Sequence, residues 1–127
     1  MTAPAWVADA VRDFGRAAGL GDFALSAQGV AAMRFENGVS LRFECAEGEM
    51  VVVATVPSSS DPAAMKRILA FSHPLAGYHF KVRSGWMAKS GRAVFAVRIA
   101  EGDVTQPVLN AAFSVLWRIA TEIGGVA

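Results

Sequence analysis

The alternation on either side of Asn37-Gly38 constrains this chain more than any other feature. From 31 to 36 the apolar side chains fall at Ala31, Met33 and Phe35, and from 39 to 45 at Val39, Leu41, Phe43 and Cys45. That period of two is a strand signature, and Asn-Gly between two such runs marks a hairpin. A two-residue loop would pair Phe35 with Ser40 and mix apolar with polar side chains on one face. A three-residue loop, Glu36-Asn37-Gly38 with Gly38 left-handed in a bulge, pairs Phe35 with Val39, Met33 with Leu41 and Ala31 with Phe43. Face consistency selects the bulged turn, because a one-residue slip would carry every apolar side chain to the wrong face. Glu47-Gly48 then forms a second tight turn into Met50–Val56, setting Cys45 against Met50, Phe43 against Val52 and Leu41 against Ala54. The three antiparallel strands have one apolar face. The other is mixed, with Val51 and Val53 beside Arg42 and Glu44, and it is the first candidate for a partner surface.

The remaining elements must cover the apolar face. Residues 5 to 18 read as a helix, with Trp6, Val7, Ala10, Val11, Phe14, Ala17 and Ala18 on one stripe and Gly19-Leu20-Gly21 ending it. Asp61 is a suitable N-cap and Pro62 a suitable first residue for a short helix reaching Ser72, stopped by His73-Pro74. Tyr78, Phe80 and Val82 alternate with His79, Lys81 and Arg83 in a fourth strand. A loop from Gly85 to Gly91 leads to a fifth strand with Ala93, Phe95, Val97 and Ile99 on one face. A last helix starts near Thr105 to Pro107 and runs to Ile123, its stripe formed by Val108, Leu109, Ala112, Val115, Leu116, Ile119 and Ile123. The order α-β-β-β-α-β-β-α describes an α+β fold with helices packed on an antiparallel sheet. Its 127 residues suit one domain, spanning 1–127.

Composition narrows the function. A chain 54% hydrophobic and 18% charged is not disordered. Asp9, Arg12 and Asp13 interrupt the N-terminus where a secretion signal would need an unbroken apolar stretch. The longest uncharged run, Val104 to Trp117, is too short and too polar to span a bilayer. A cytoplasmic protein is expected. Chemistry is scarce: the single cysteine, Cys45, sits in an apolar alternation, and neither His73 nor His79 has a partner at metal-ligand spacing. With no glycine-rich phosphate loop either, the sequence points to no cofactor, no metal and no enzyme.

The charges are segregated. Twelve basic and eleven acidic residues nearly cancel, yet residues 62–100 contain Lys66, Arg67, Lys81, Arg83, Lys89, Arg92 and Arg98 and no carboxylate. A basic patch across the second helix and the last two strands is expected. Nucleic acid could use it, but Tyr78 and Phe80 alternate away from Lys81 and Arg83, so the aromatic stacking platform is missing. Trp86 and Met87, placed in the loop, are candidate sticky contacts for a partner. Trp6 and Phe14 are weaker candidates, since core packing explains both.

With this order in place, the sequence resembles the class I chaperones of bacterial type III secretion systems. The resemblance rests on Ala18-Gly19-Leu20-Gly21 after the first helix and on the hairpin Met33-Arg34-Phe35-Glu36 into Val39-Ser40-Leu41-Arg42-Phe43. It rests further on the central helix Met65-Lys66-Arg67-Ile68-Leu69-Ala70-Phe71 and on the amphipathic helix Val108 to Ile123. It implies an ATP-independent cytoplasmic chaperone that holds the N-terminal region of a secreted effector as an extended chain. It also implies a dimer built through Ile68, Leu69, Phe71, Tyr78, Phe80 and Val82, and strand addition of the client at sheet edges; the residues themselves offer Val51, Val53, Trp86 and Met87 as candidate client contacts. The partner subunit is either a second copy or an unlike chain whose acidic surface would neutralise the basic segment. An adaptor or regulatory subunit of this fold is the alternative to an effector chaperone.

Overall fold

In a computed structural model, which describes residues 3–71 and 80–124, the strands form one antiparallel sheet in the order β1-β2-β3-β5-β4. The elements follow the expected order: α1 (Ala5–Ala17), β1 (Val30–Arg34), β2 (Ser40–Ala46), β3 (Glu49–Pro57), α2 (Pro62–Ala70), β4 (Val82–Met87), β5 (Arg92–Ala100) and α3 (Gln106–Gly124), with a short 3-10 turn at Glu101–Asp103.

Both expected registers are present. Ala31 faces Phe43 and Met33 faces Leu41, while the Phe35 amide donates to the Val39 carbonyl at 2.8 Å. Gly38 takes φ 89°, the left-handed value that the bulged turn requires. Across the next turn Leu41 faces Ala54, Phe43 faces Val52 and Cys45 faces Met50. The Asp61 carboxylate accepts from the Ala64 amide at 2.7 Å and caps α2. That bond and the Ser59 hydroxyl hold the Asp61 carboxyl below its ordinary value.

The helices lie on the side of the sheet that carries Ala31, Leu41, Phe43, Met50, Val52, Ala54, Phe95 and Val97, all buried. Phe14 of α1 stacks at 5.0 Å from Phe43 and 5.5 Å from Phe113 of α3, tying two helices to the strands through one ring. Gly15 lets the 22–25 segment approach, since a Cβ there would sit 2.9 Å from the Phe23 carbonyl oxygen. Ile68 of α2 is fully buried, and Phe71 meets Phe95 edge-on at 5.8 Å.

The fourth strand departs from expectation. It runs from Val82 to Met87, so Gly85, Trp86 and Met87 lie in the ladder and not in a loop. The reason is pairing: Gly85 faces Val94, Trp86 faces Ala93 and Met87 faces Arg92, which leaves only 88–91 to turn the chain. His73, Tyr78 and His79 lie outside the described residues.

Candidate functional site

The strand register places two kinds of surface back to back. On the side away from the helices, each rung of the ladder can be read across the sheet. One rung is Arg34, Ser40, Thr55, Val94 and Gly85; the next is Ala32, Arg42, Val53, Ala96 and Arg83. A third brings Val30, Glu44, Val51 and Arg98 together, and Pro57, Arg92 and Met87 close one end. None of these residues is buried. Val51, Val53, Val94 and Ala96 form a small apolar strip on β3 and β5, with Arg34 and Arg83 on the edge strands, Arg42 on β2 and Arg92 and Arg98 on β5. A shallow depression of about 380 Å³ on it is lined by Ala32, Arg34, Ser40, Arg42, Val53 and Thr55, among others.

Val51 and Val53 stand half-buried on this face, and Met87 is 38% exposed at its end. Trp86 does not accompany Met87. Because the two are consecutive in a strand they point to opposite sides, and Trp86 packs against the core on the helix side. Its indole N–H is buried without a hydrogen-bond partner among the described residues. Trp6 is 47% exposed on α1, whereas Phe14 belongs wholly to the core.

The residues expected at a dimer interface divide in the same way. Ile68 and Val82 are core residues of the chain itself, at 0% and 4% exposure, and have no surface to offer a second subunit. A helix nine residues long must anchor its one apolar stripe, and Ile68 is that anchor. Leu69, one position on, is 56% exposed; Phe71 and Phe80 are half-buried. Tyr78 is outside the described residues.

The seven cations of 62–100 do not form one patch. Lys66 and Arg67 are exposed on α2, where Arg67 reaches the Glu122 carbonyl of α3 at 3.5 Å. Lys81 and Lys89 are exposed at either end of β4. Arg92 is half-buried and structural: it donates to the Gly38 carbonyl, to the Thr55 hydroxyl at 2.9 Å and to the Thr55 carbonyl at 3.0 Å, bracing the first hairpin against β5. Burial, and then the nearby Arg34, pull its pKa below the ordinary arginine value. Arg83, Arg92 and Arg98 share the helix-free face with Arg34 and Arg42, which come from the first half of the chain. These five lie far apart in the chain, and the strand register brings them together. Of the two carboxylates on the face, Glu44 pairs with Arg42 at 3.2 Å and Glu49 with Arg98 at 2.9 Å.

The two sheet edges complete the surface. The Phe35–Val39 and Cys45–Gly29 backbone bonds show that odd-numbered residues of β1 face β2. Ala32 and Arg34 therefore turn their amide and carbonyl groups outward along an edge that no other described strand pairs. At the other edge stands β4.

Among the described residues no three metal-ligating side chains gather, and no helix is long and apolar enough to cross a membrane. Burial, and then Glu101, raise the Cys45 thiol above its ordinary value, which disfavours the reactive thiolate.

The sequence profile of the family described as type III secretory system chaperone SycN matches residues 6–124. The chain belongs to this type III secretion chaperone family. Solved structures agree in fold. A chain of the ExsC–ExsE complex superposes with a TM-score of 0.78 at 16% identity, covering 98% of this chain and 96% of the other. A chain of the complex of the Yersinia pestis type III secretion chaperone SycH with a stable fragment of YscM2 gives 0.70 at 16% identity over 92% and 98%. The HopA1–SchA chaperone–effector complex gives 0.70 at 17% identity over 93% and 92%. A comparison with curated protein sequences finds no match. This type III secretion chaperone thus has the expected α+β fold and the expected family.

Proposed function

We propose that this chaperone holds the N-terminal region of a secreted effector as an extended chain, in the cytoplasm, without ATP and without catalysis, and keeps it competent for secretion. The observation that carries this reading is the β1 edge, with the outward backbone groups of Ala32 and Arg34 beside a face that none of the described helices covers. An extended polypeptide gains main-chain hydrogen bonds by adding to such an edge, and alternate side chains then meet the flanking surfaces. Val51, Val53 and Met87 are the client contacts that the face offers. Support also comes from the matched structures, of which HopA1–SchA is a chaperone–effector complex.

The chaperone works as a dimer in this reading. Leu69 on α2, Phe71 just after its end and Phe80 before β4 supply the apolar surface, with Tyr78 next to Phe80's neighbour His79 in sequence. Lys66, one turn before Leu69, favours an unlike, acidic partner subunit as the second form of the dimer. Co-expression with the N-terminal segments of proteins exported by the same secretion system tests the reading. A stable complex that co-purifies is expected, and its mass by light scattering distinguishes two like subunits from two unlike ones. If no such segment is retained, the reading fails.

A further inference from the structure

The helix-free face carries five arginines, Arg34, Arg42, Arg83, Arg92 and Arg98, against two glutamates that are already paired. Among the described residues no salt bridge takes Arg34, Arg83 or Arg92. Arg34 stands on one edge strand and Arg83 on the other, and between them lie only small or apolar side chains and Ser40, Arg42 and Thr55. The face therefore presents a weakly apolar track with unneutralised positive charge at both ends.

The backbone decides what can lie there. The amide and carbonyl groups of β2, β3 and β5 are engaged on both sides by neighbouring strands. An extended chain laid on the face would find no backbone partner and would leave its own polar groups poorly satisfied. A helix satisfies its backbone internally and needs only a surface for its apolar stripe. With side chains it is about 10 Å wide and covers roughly two strand spacings. Val51 and Val53 on β3 and Val94 and Ala96 on β5 form a strip of that width. A helix seated on them would carry its flanking side chains toward the two edges, where Arg34 and Arg83 stand.

We propose that this face docks an acidic amphipathic helix of the client, its apolar stripe on Val51, Val53, Val94 and Ala96 and its flanking carboxylates toward Arg34 and Arg83. The inference rests on the chaperone reading and deepens it: the β1 edge takes an extended segment, and the face takes a helical, acidic one. Charge at the margins selects the partner more than it adds affinity, so discrimination between acidic and basic helices is the property to measure.

The test uses the full chain and two fluorescein-labelled peptides of roughly sixteen residues, about four helical turns, with the same leucine stripe. One carries glutamate along its flanks and its twin carries lysine. By fluorescence anisotropy at low salt the acidic peptide is expected to bind at least about tenfold tighter, with the preference shrinking as salt screens the charges. The double variant Arg34→Glu/Arg83→Glu should abolish the preference. Arg34→Lys/Arg83→Lys should keep it, and Arg16→Glu on α1 should leave it unchanged. Should the glutamate pair fail to fold, Arg34→Gln/Arg83→Gln makes the same comparison. Equal binding of the twins, a preference untouched at Arg34 and Arg83, or tighter binding of a single-stranded oligonucleotide would each overturn the proposal. Retention of an effector segment by the wild-type chain is measured without these peptides, so failure of the helix site and failure of the chaperone reading remain distinguishable.

Discussion

The two faces of one sheet are built from alternate residues of the same strands and have opposite fates. On β3, Met50, Val52, Ala54 and Val56 are buried beneath helices, while Val51, Val53 and Thr55 between them stay half-exposed. Both sets are apolar enough to form a core. What separates them is coverage: α1 and α3 pack through Phe14, Phe43 and Phe113 on one side, and arginines margin the other. Burial on the covered side supplies stability, and the uncovered side keeps apolar area available for a partner.

Substitution should expose this difference. Phe43→Ala removes a fully buried ring from the centre of the covered face and is expected to cost roughly 3–5 kcal/mol, whereas Val53→Ala opposite should cost about 1 kcal/mol or less. Urea unfolding monitored by tryptophan fluorescence measures both, and equal losses would break the distinction between the faces. Arg92 is the exception on the open side, because it serves the fold. Arg92→Ala leaves the Gly38 and Thr55 carbonyls without that donor, and a loss of roughly 1–3 kcal/mol by the same measurement is expected.

The smallest effect concerns pH. Asp61 has a folded pKa below its unfolded one, so its contribution to stability is present above the unfolded value and is lost as pH falls through the folded value. Asp61→Asn preserves the N-cap bond but cannot titrate. Its stability should therefore fall less steeply than that of the wild type between about pH 4 and the folded value, in thermal melts across that range.

The first three strands were legible because alternation and turn chemistry agree on a single register: Phe35, Met33 and Ala31 can meet apolar partners only if Gly38 is left-handed. The fourth strand was misplaced because Gly85 interrupts it and Trp86-Met87 follows, which locally resembles a loop. The pairing of Val82–Met87 with Arg92–Val97 overrides that local signal, and only the partner strand reveals it. Arg92 shows the same limit. By composition it is one more cation in a basic block, yet its acceptors at Gly38 and Thr55 lie far back in the chain. Gly15 carries no sequence signal at all; its role is to make room for the Phe23 carbonyl. The family was readable from element order and helix pattern. The arginine-margined face required the register, which unites Arg34 and Arg42 with Arg83, Arg92 and Arg98.

Client capture along the β1 edge is open to a direct test by hydrogen–deuterium exchange on the chain, alone and with a bound effector N-terminal segment. Slowed exchange of the Ala32 and Arg34 amides on β1, with the buried strands unchanged, is the predicted result. Protection confined to α1 and α3, with β1 exchanging as in the free chain, would contradict it.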